Sequence, residues 1–173
     1  MTKLEIVPEY ALSTEAVRHI AELRSLPAAS QHQRPALFGT PPAFIALLRD
    51  KGILLGHLRF DFQQLLVDLQ PVNVFCLYEL CFASEDARKA HFTHLIEGIE
   101  GMGRQQSVEF LLLFSDEPAW LLAHGFEVRS NVLVPSHATQ LLQQHYSEQS
   151  LLVKPLGNRL WQGGRLESPT DKL

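Results

Sequence analysis

At 173 residues, 46% of them hydrophobic and 20% charged, the chain has the size and make-up of one globular domain with a sizeable core. A net charge of -4 with no lysine or arginine run offers nothing to nucleic acid or to an anionic membrane, so neither is expected as a partner. The longest apolar runs, such as Phe110 to Phe114, fall far below the roughly 18 residues of a membrane span, and the first residues lack the apolar stretch of a signal peptide.

Leu4 to Val7 reads as an opening strand stopped by Pro8. Ser13 or Thr14 then caps a helix whose apolar positions, Ala16, Val17, Ile20, Ala21 and Leu23, recur at helical spacing to about Leu26. Residues 27–42, rich in Pro, Gln, Ser and Gly, read as a loop or a broken short helix. A hairpin follows: the run Ala43 to Leu48, a turn at Arg49 to Gly52, and a second run from Ile53 to Phe60. Phe62 to Leu69 is ambiguous, with Pro71 as its stop. Val72 to Phe82 alternates as a strand, with Val74, Cys76, Tyr78, Leu80 and Phe82 on one face and Phe75, Leu77, Glu79 and Cys81 on the other.

Ser84 can cap the next helix, with Glu85 and Asp86 in its first turn, an apolar stripe of Leu95, Ile96, Ile99 and Met102, and Gly101 and Gly103 as its end. Val108 to Phe114 is apolar throughout, as in a strand covered on both faces. A helix from Glu117 to Gly125, a strand over Val128 to Val134, a helix from Ser136 to about Tyr146 and a last strand from Leu151 to Leu156 complete the pattern. The order implies an α/β (α+β) domain, a mixed sheet of about six or seven strands with helices on it. One domain spans 1–173, its core about 4–156, with an irregular tail over 157–173. Cys76 and Cys81, five apart on one strand, point to opposite faces and cannot bridge; two plain thiols fit the cytoplasm.

Two places carry a family resemblance. Ala43 to Phe60 holds an apolar run, a charged turn and an apolar run containing Gly56-His57, and Pro118 to Phe126 ends in Gly125-Phe126. Together with the element order, they resemble the GNAT superfamily of acyl-CoA-dependent N-acyltransferases, most closely its small bacterial predicted acetyltransferases. The resemblance covers about Leu4 to Leu156. It implies a mostly antiparallel sheet with helices on both faces, acetyl-CoA or another acyl-CoA as cofactor, and a small-molecule or peptide amine as acceptor. A homodimer is one assembly such a domain would allow.

The implied centre runs from Glu79 to Phe92. Backbone groups about Leu80 and Phe82 would meet the pantetheine arm, and Ala87, Arg88, Lys89, Ala90 and Phe92 would form the pyrophosphate turn at a helix N-terminus. Asp116 belongs to the same set. The turn departs from the family's Gln/Arg-x-x-Gly-x-Gly/Ala form: Ala87, Ala90 and Phe92 replace its three defined residues, and the Phe92 ring would sit against the pyrophosphate unless it turns into the core. Glu79, at the family's glutamate position, is the candidate base; the other reading is a carboxylate paired with an arginine of a neighbouring strand, Arg59 being the candidate. The family's tyrosine falls on Leu121, which has no proton to give. Tyr78 is on the wrong face unless a bulge intervenes, and His124 reads as a helix C-terminal residue. Cys81 reads as a buried structural thiol. His91 and His94 share a helix face without a third ligand at a metal spacing, so no metal is expected. His57 lines a cleft or fills an edge. Gly98 to Gly103 reads as a helix stop, not a phosphate loop. Two functions stay open: an N-acyltransferase, or a GNAT-like ligand-binding or regulatory domain without catalysis.

Overall fold

The computed structural model describes residues 1–26, 43–134 and 149–167. The loop expected over 27–42 and the helix expected over 136–146 lie outside them. The elements in chain order are β1 (Thr2–Pro8), α1 (Thr14–Arg24), β2 (Ala43–Asp50), β3 (Ile53–Val67), β4 (Gln70–Phe82), α2 (Glu85–Gln105), β5 (Phe110–Ser115), α3 (Ala119–Leu122), β6 (Glu127–Arg129), β7 (Val132–Leu133), β8 (Ser150–Pro155) and β9 (Arg165–Glu167).

The strands join in one sheet of order β1-β2-β3-β4-β5-β8-β6, antiparallel except between β4 and β5. A side branch adds β9, which pairs antiparallel with the far end of β3 and parallel with β7. Two tight hairpins build the centre. Lys51 and Gly52 turn β2 into β3, and Asp68 and Leu69 turn β3 into β4, all four with positive φ. A two-residue turn of that hand matches the right-handed twist of the flanking strands.

Helix α1 begins where the Ser13 hydroxyl accepts a hydrogen bond from the Ala16 N–H at 3.1 Å, and it buries Ala16, Ile20 and Leu23 along one stripe. They pack with Ile45, Leu47, Leu54 and Cys81 on one face of the sheet. On the same face, farther along, lies a second apolar cluster with Val74, Cys76, Phe110 and Leu166, against which Trp161 of the tail packs. Helix α2 covers the opposite face, where Phe92, Leu95, Ile96 and Ile99 meet Leu58, Phe60, Phe75, Leu77, Leu80 and Phe82 in the largest cluster.

Several expectations need correction. The ambiguous stretch after Phe60 continues β3 to Val67, and Pro71 stands inside β4, not at a break. Gly101 and Gly103 do not stop α2, which runs on to Gln105. Gly98 and Gly103 instead allow close approach, while Gly101 faces open space: a Cβ on Gly98 would fall 2.1 Å from Leu4 Cδ2, and one on Gly103 2.9 Å from Leu156 Cδ1. Helix α3 is a single turn, closed by Gly125 at φ +86. The strand expected over Val128 to Val134 is divided into β6 and β7, and the tail supplies β9.

Candidate active site

Opposite Leu58, strand β4 carries one residue too many. Arg59 pairs with Tyr78 and His57 with Cys81, so two β4 residues, Glu79 and Leu80, stand where β3 has one. Glu79 takes φ +50, a left-handed conformation that costs a residue with a Cβ about 1 kcal/mol or more. The bulge overturns the simple alternation read from the sequence. Leu77, Leu80 and Phe82 all face α2, whereas Cys76, Tyr78, Glu79 and Cys81 are turned to the α1 face. Tyr78 and Glu79 therefore share a face, and so do the two cysteines, which form no disulfide and lie in separate clusters.

Glu79 sits among arginines. Its Oε2 lies 2.8 Å from Arg59 Nε and 3.8 Å from Arg24 Nη1 at the end of α1, while Arg59 Nη1 donates to Glu9 Oε1 at 2.5 Å. The arginine pairing weighed for Glu79 is present. What the sequence did not signal is the participation of Arg24 and Glu9, which arrive from elements 55 and 70 residues upstream of Glu79 in the numbering. All four side chains keep some exposure, between 21% for Arg59 and 43% for Glu9, so the network is reachable from solvent.

Beneath it lies His57. It is fully buried in the interior of the sheet, which excludes the edge-filling role. Burial, then the charges of Arg59 and Arg24, push its pKa down to about 4, so the imidazole is neutral at pH 7. Among the described residues neither ring nitrogen has a hydrogen-bond partner, and Arg59 Nε and Glu79 Oε2 meet as an ion pair at 2.8 Å without hydrogen-bond alignment. Cys81, in register with His57, donates to Leu23 O at 3.7 Å, and burial raises its thiol pKa; it is a structural thiol.

Beside the bulge the sheet opens. Strands β4 and β5 pair only from Val74 with Phe110 to Leu77 with Leu113. Past that point β5 keeps only its other neighbour β8, with which it pairs throughout, and no described strand pairs with this side of β4 from Tyr78 to Phe82. An unpaired parallel edge beside a strained glutamate is a place where an extended ligand with its own amide groups can continue the sheet.

No family model matches the sequence, and no curated protein matches it. Solved structures do. An N-acetylglutamate synthase from Neisseria gonorrhoeae, in complex with coenzyme A and N-acetyl-glutamate, superposes over 90% of this chain with a TM-score of 0.60 at 16% identity. The present chain spans only 36% of that synthase's length. An acyl-CoA N-acyltransferase from Pseudomonas aeruginosa gives a TM-score of 0.57 at 14% identity, with 89% of this chain and 99% of that one covered. A GNAT family N-acetyltransferase from Escherichia coli in complex with CoA gives 0.55 at 16%, covering 99% and 93%. The chain has the acyl-CoA N-acyltransferase fold of the GNAT proteins.

Within the GNAT fold, the pyrophosphate turn would be the start of α2, and its residues are placed as follows. Phe92 turns inward: it is 1% exposed, with its ring 4.8 Å from Trp120 and 4.7 Å from His124, so it does not obstruct the turn. Its side chain equally cannot touch a ligand there. Ala90 and Lys89 are exposed, Ala87 is half-buried, and the Ala87 N–H is taken by the Ser84 hydroxyl at 3.0 Å. Arg88 is stacked on Trp120 at 4.3 Å. Lys89, and with it Arg88, holds the Glu85 carboxyl below its usual range. Leu80 and Phe82 send their side chains into the core and offer only backbone to the opening. Asp116 is exposed just beyond β5. Leu121 is wholly buried. His124, expected to gain from a helix C-terminus, is instead held below its usual pKa by burial and then by Lys154 and Arg88. Along this edge the described strands leave the β4 backbone from Tyr78 to Phe82 unpaired on one side, and at the start of α2 the cationic side chains are Arg88 and Lys89.

Proposed function

We propose that the chain is an acyl-CoA-dependent N-acyltransferase, passing an acetyl or other acyl group from a CoA thioester to an amine. The parting of β4 from β5 directly beside the Glu79 bulge supports this reading. The opening offers a strand edge for the arm, Arg88 and Lys89 offer charge for phosphates, and Glu79 stands at the position where the thioester would end. When bound, the thioester supplies an activated carbonyl. In the transfer the amine nitrogen bonds to that carbon and the C–S bond breaks; the nitrogen gives up one proton and the departing thiolate gains one.

Glu79 is the group placed to take the amine's proton, directly or through a water. Tyr78, brought to the same face by the bulge, is the group beside it with a proton to give, in the place of the tyrosine that Leu121 lacks. Arg59 and Arg24 fix the Glu79 carboxylate and keep it from swinging into the core.

Thermal unfolding with excess acetyl-CoA tests the reading. At about 100 times its dissociation constant, a ligand adds roughly 2.7 kcal/mol, expected here as a rise in Tm of about 5–10 °C. Glu79→Gln should keep this rise while losing roughly a hundredfold or more in acyl transfer. Absence of any rise in the wild-type protein overturns the proposal.

A further inference from the structure

Strand β1 ends the sheet, and no described strand pairs with its outer side. Which backbone groups it turns outward follows from the neighbouring hairpin. Lys51 and Gly52 form a two-residue turn with positive φ at both positions, and such a turn closes on a hydrogen-bonded pair, here Asp50 with Ile53. Along a strand the backbone groups of successive residues point to opposite sides, so Asp50 bonds to β3, and Arg49, Leu47 and Ile45 bond to β1. Their partners there are Lys3, Glu5 and Val7. Thr2, Leu4, Ile6 and Pro8 therefore direct their backbone groups away from the sheet. Pro8 agrees with this placement, because proline is tolerated in a strand where its missing N–H would have faced outward.

A seven-residue strand with free N–H and C=O groups on one side is a template for another chain. Its register with β2 is unbroken, so no bulge twists it out of reach. At the other end of the sheet β6 has only three residues, and its Arg129 is already paired with Glu127 of the same strand.

The charges on β1 select the partner. Lys3 and Glu5 are exposed on one face, while Leu4 and Ile6 are half-buried on the other, packed on the cluster under α2. In a second copy laid antiparallel with Leu4 against Leu4, Thr2 of each copy faces Ile6 of the other. All these pairs are of the hydrogen-bonded kind, and each Lys3 stands opposite a Glu5. A slip of one residue sets outward groups against inward ones and loses the ladder. A slip of two residues sets Lys3 against Lys3 in one direction. In the other it sets Glu5 against Glu5 and leaves Pro8, with no N–H, against Thr2.

We propose that the chain associates with a second copy of itself through β1, on a two-fold axis at Leu4, so that the two sheets become one. Strands β2 and β3 separate β1 from β4, so the opening beside Glu79 stays free in each copy.

Sedimentation of the full chain over the micromolar range should show a mass rising from 19.5 kDa toward twice that value. Lys3→Glu and Glu5→Lys each turn the opposite-charge pairs into like-charge pairs and should weaken association by roughly tenfold or more. Both side chains are exposed, so Tm should hold. The chain with both substitutions should associate as the wild type does, and a mixture of the two single variants should form mixed dimers. Amide exchange needs no variant: the Leu4 and Ile6 N–H groups should slow as concentration rises, while that of Glu5 is protected throughout. A chain that stays at 19.5 kDa, with Leu4 and Ile6 exchanging fast, overturns the proposal. So does a dimer that tolerates both single reversals, since another surface then holds it, or one that the double reversal fails to restore.

Discussion

Glu79 stands where β4 has parted from β5 and His57 on the neighbouring β3, and the two meet their surroundings differently. The carboxylate reaches two arginines; the imidazole finds no hydrogen-bond partner among the described residues, and it is held neutral by burial and by those same cations. This has a consequence for stability. An unfolded histidine binds a proton below pH 6.5, whereas His57 in the folded chain resists it down to about 4. Across that window the unfolded state carries more protons, so the His57 contribution to stability rises with pH and is complete above 6.5. The full shift corresponds to roughly 3 kcal/mol. Denaturant unfolding between pH 4 and 7 should show this slope, and His57→Gln should flatten it; an unchanged slope in the variant would place the effect elsewhere. The Glu79–Arg59 pairing was legible because alternation brings polar residues of adjacent strands together. The bulge was not, since Tyr78, Glu79 and Leu80 include no glycine, asparagine or aspartate to mark a left-handed position.

At the scale of elements, α2 shows where periodicity informs and where it misleads. Its stripe, Leu95, Ile96 and Ile99, is buried as the spacing requires, and Ser84 caps it. Its end was misread because glycine has two uses, ending a helix or letting another chain come close, and only the neighbours decide between them. Phe92 poses the same ambiguity. In the sequence it looks like an obstacle at a phosphate turn; in the fold it joins Phe82, Trp120 and His124 in an aromatic group that fixes the start of α2. Phe92→Ala should therefore cost about 3–5 kcal/mol, seen as a lower denaturation midpoint, and should not improve acetyl-CoA binding. A more tightly binding variant of unchanged stability would contradict this placement. Helix α3 was expected to be longer because Pro118 and Gly125 bracket it plausibly, but Gly125 closes it after one turn.

For the whole molecule, the succession of strands and helices sufficed to anticipate a mixed sheet covered by helices, because hydrophobic period and turn residues are local signals. Strand order is not local. Nothing in the residues of β8 announces that it inserts between β5 and β6, reversing the order in which those strands are made. A nascent chain that has reached Leu133 holds β5, the apolar run Phe110 to Ser115, with one flank still open, and β6 with no strand to join. Only when Ser150–Pro155 has left the ribosome is that flank closed, and until then the run is an adhesive edge open to other chains. Stopping synthesis before residue 150 should yield insoluble protein, measured as the fraction lost to the pellet, whereas stopping just before β9 should leave it soluble. Rapid completion of the chain, or a chaperone that covers the edge meanwhile, should therefore raise the soluble yield, because β5 is encoded forty residues before its partner.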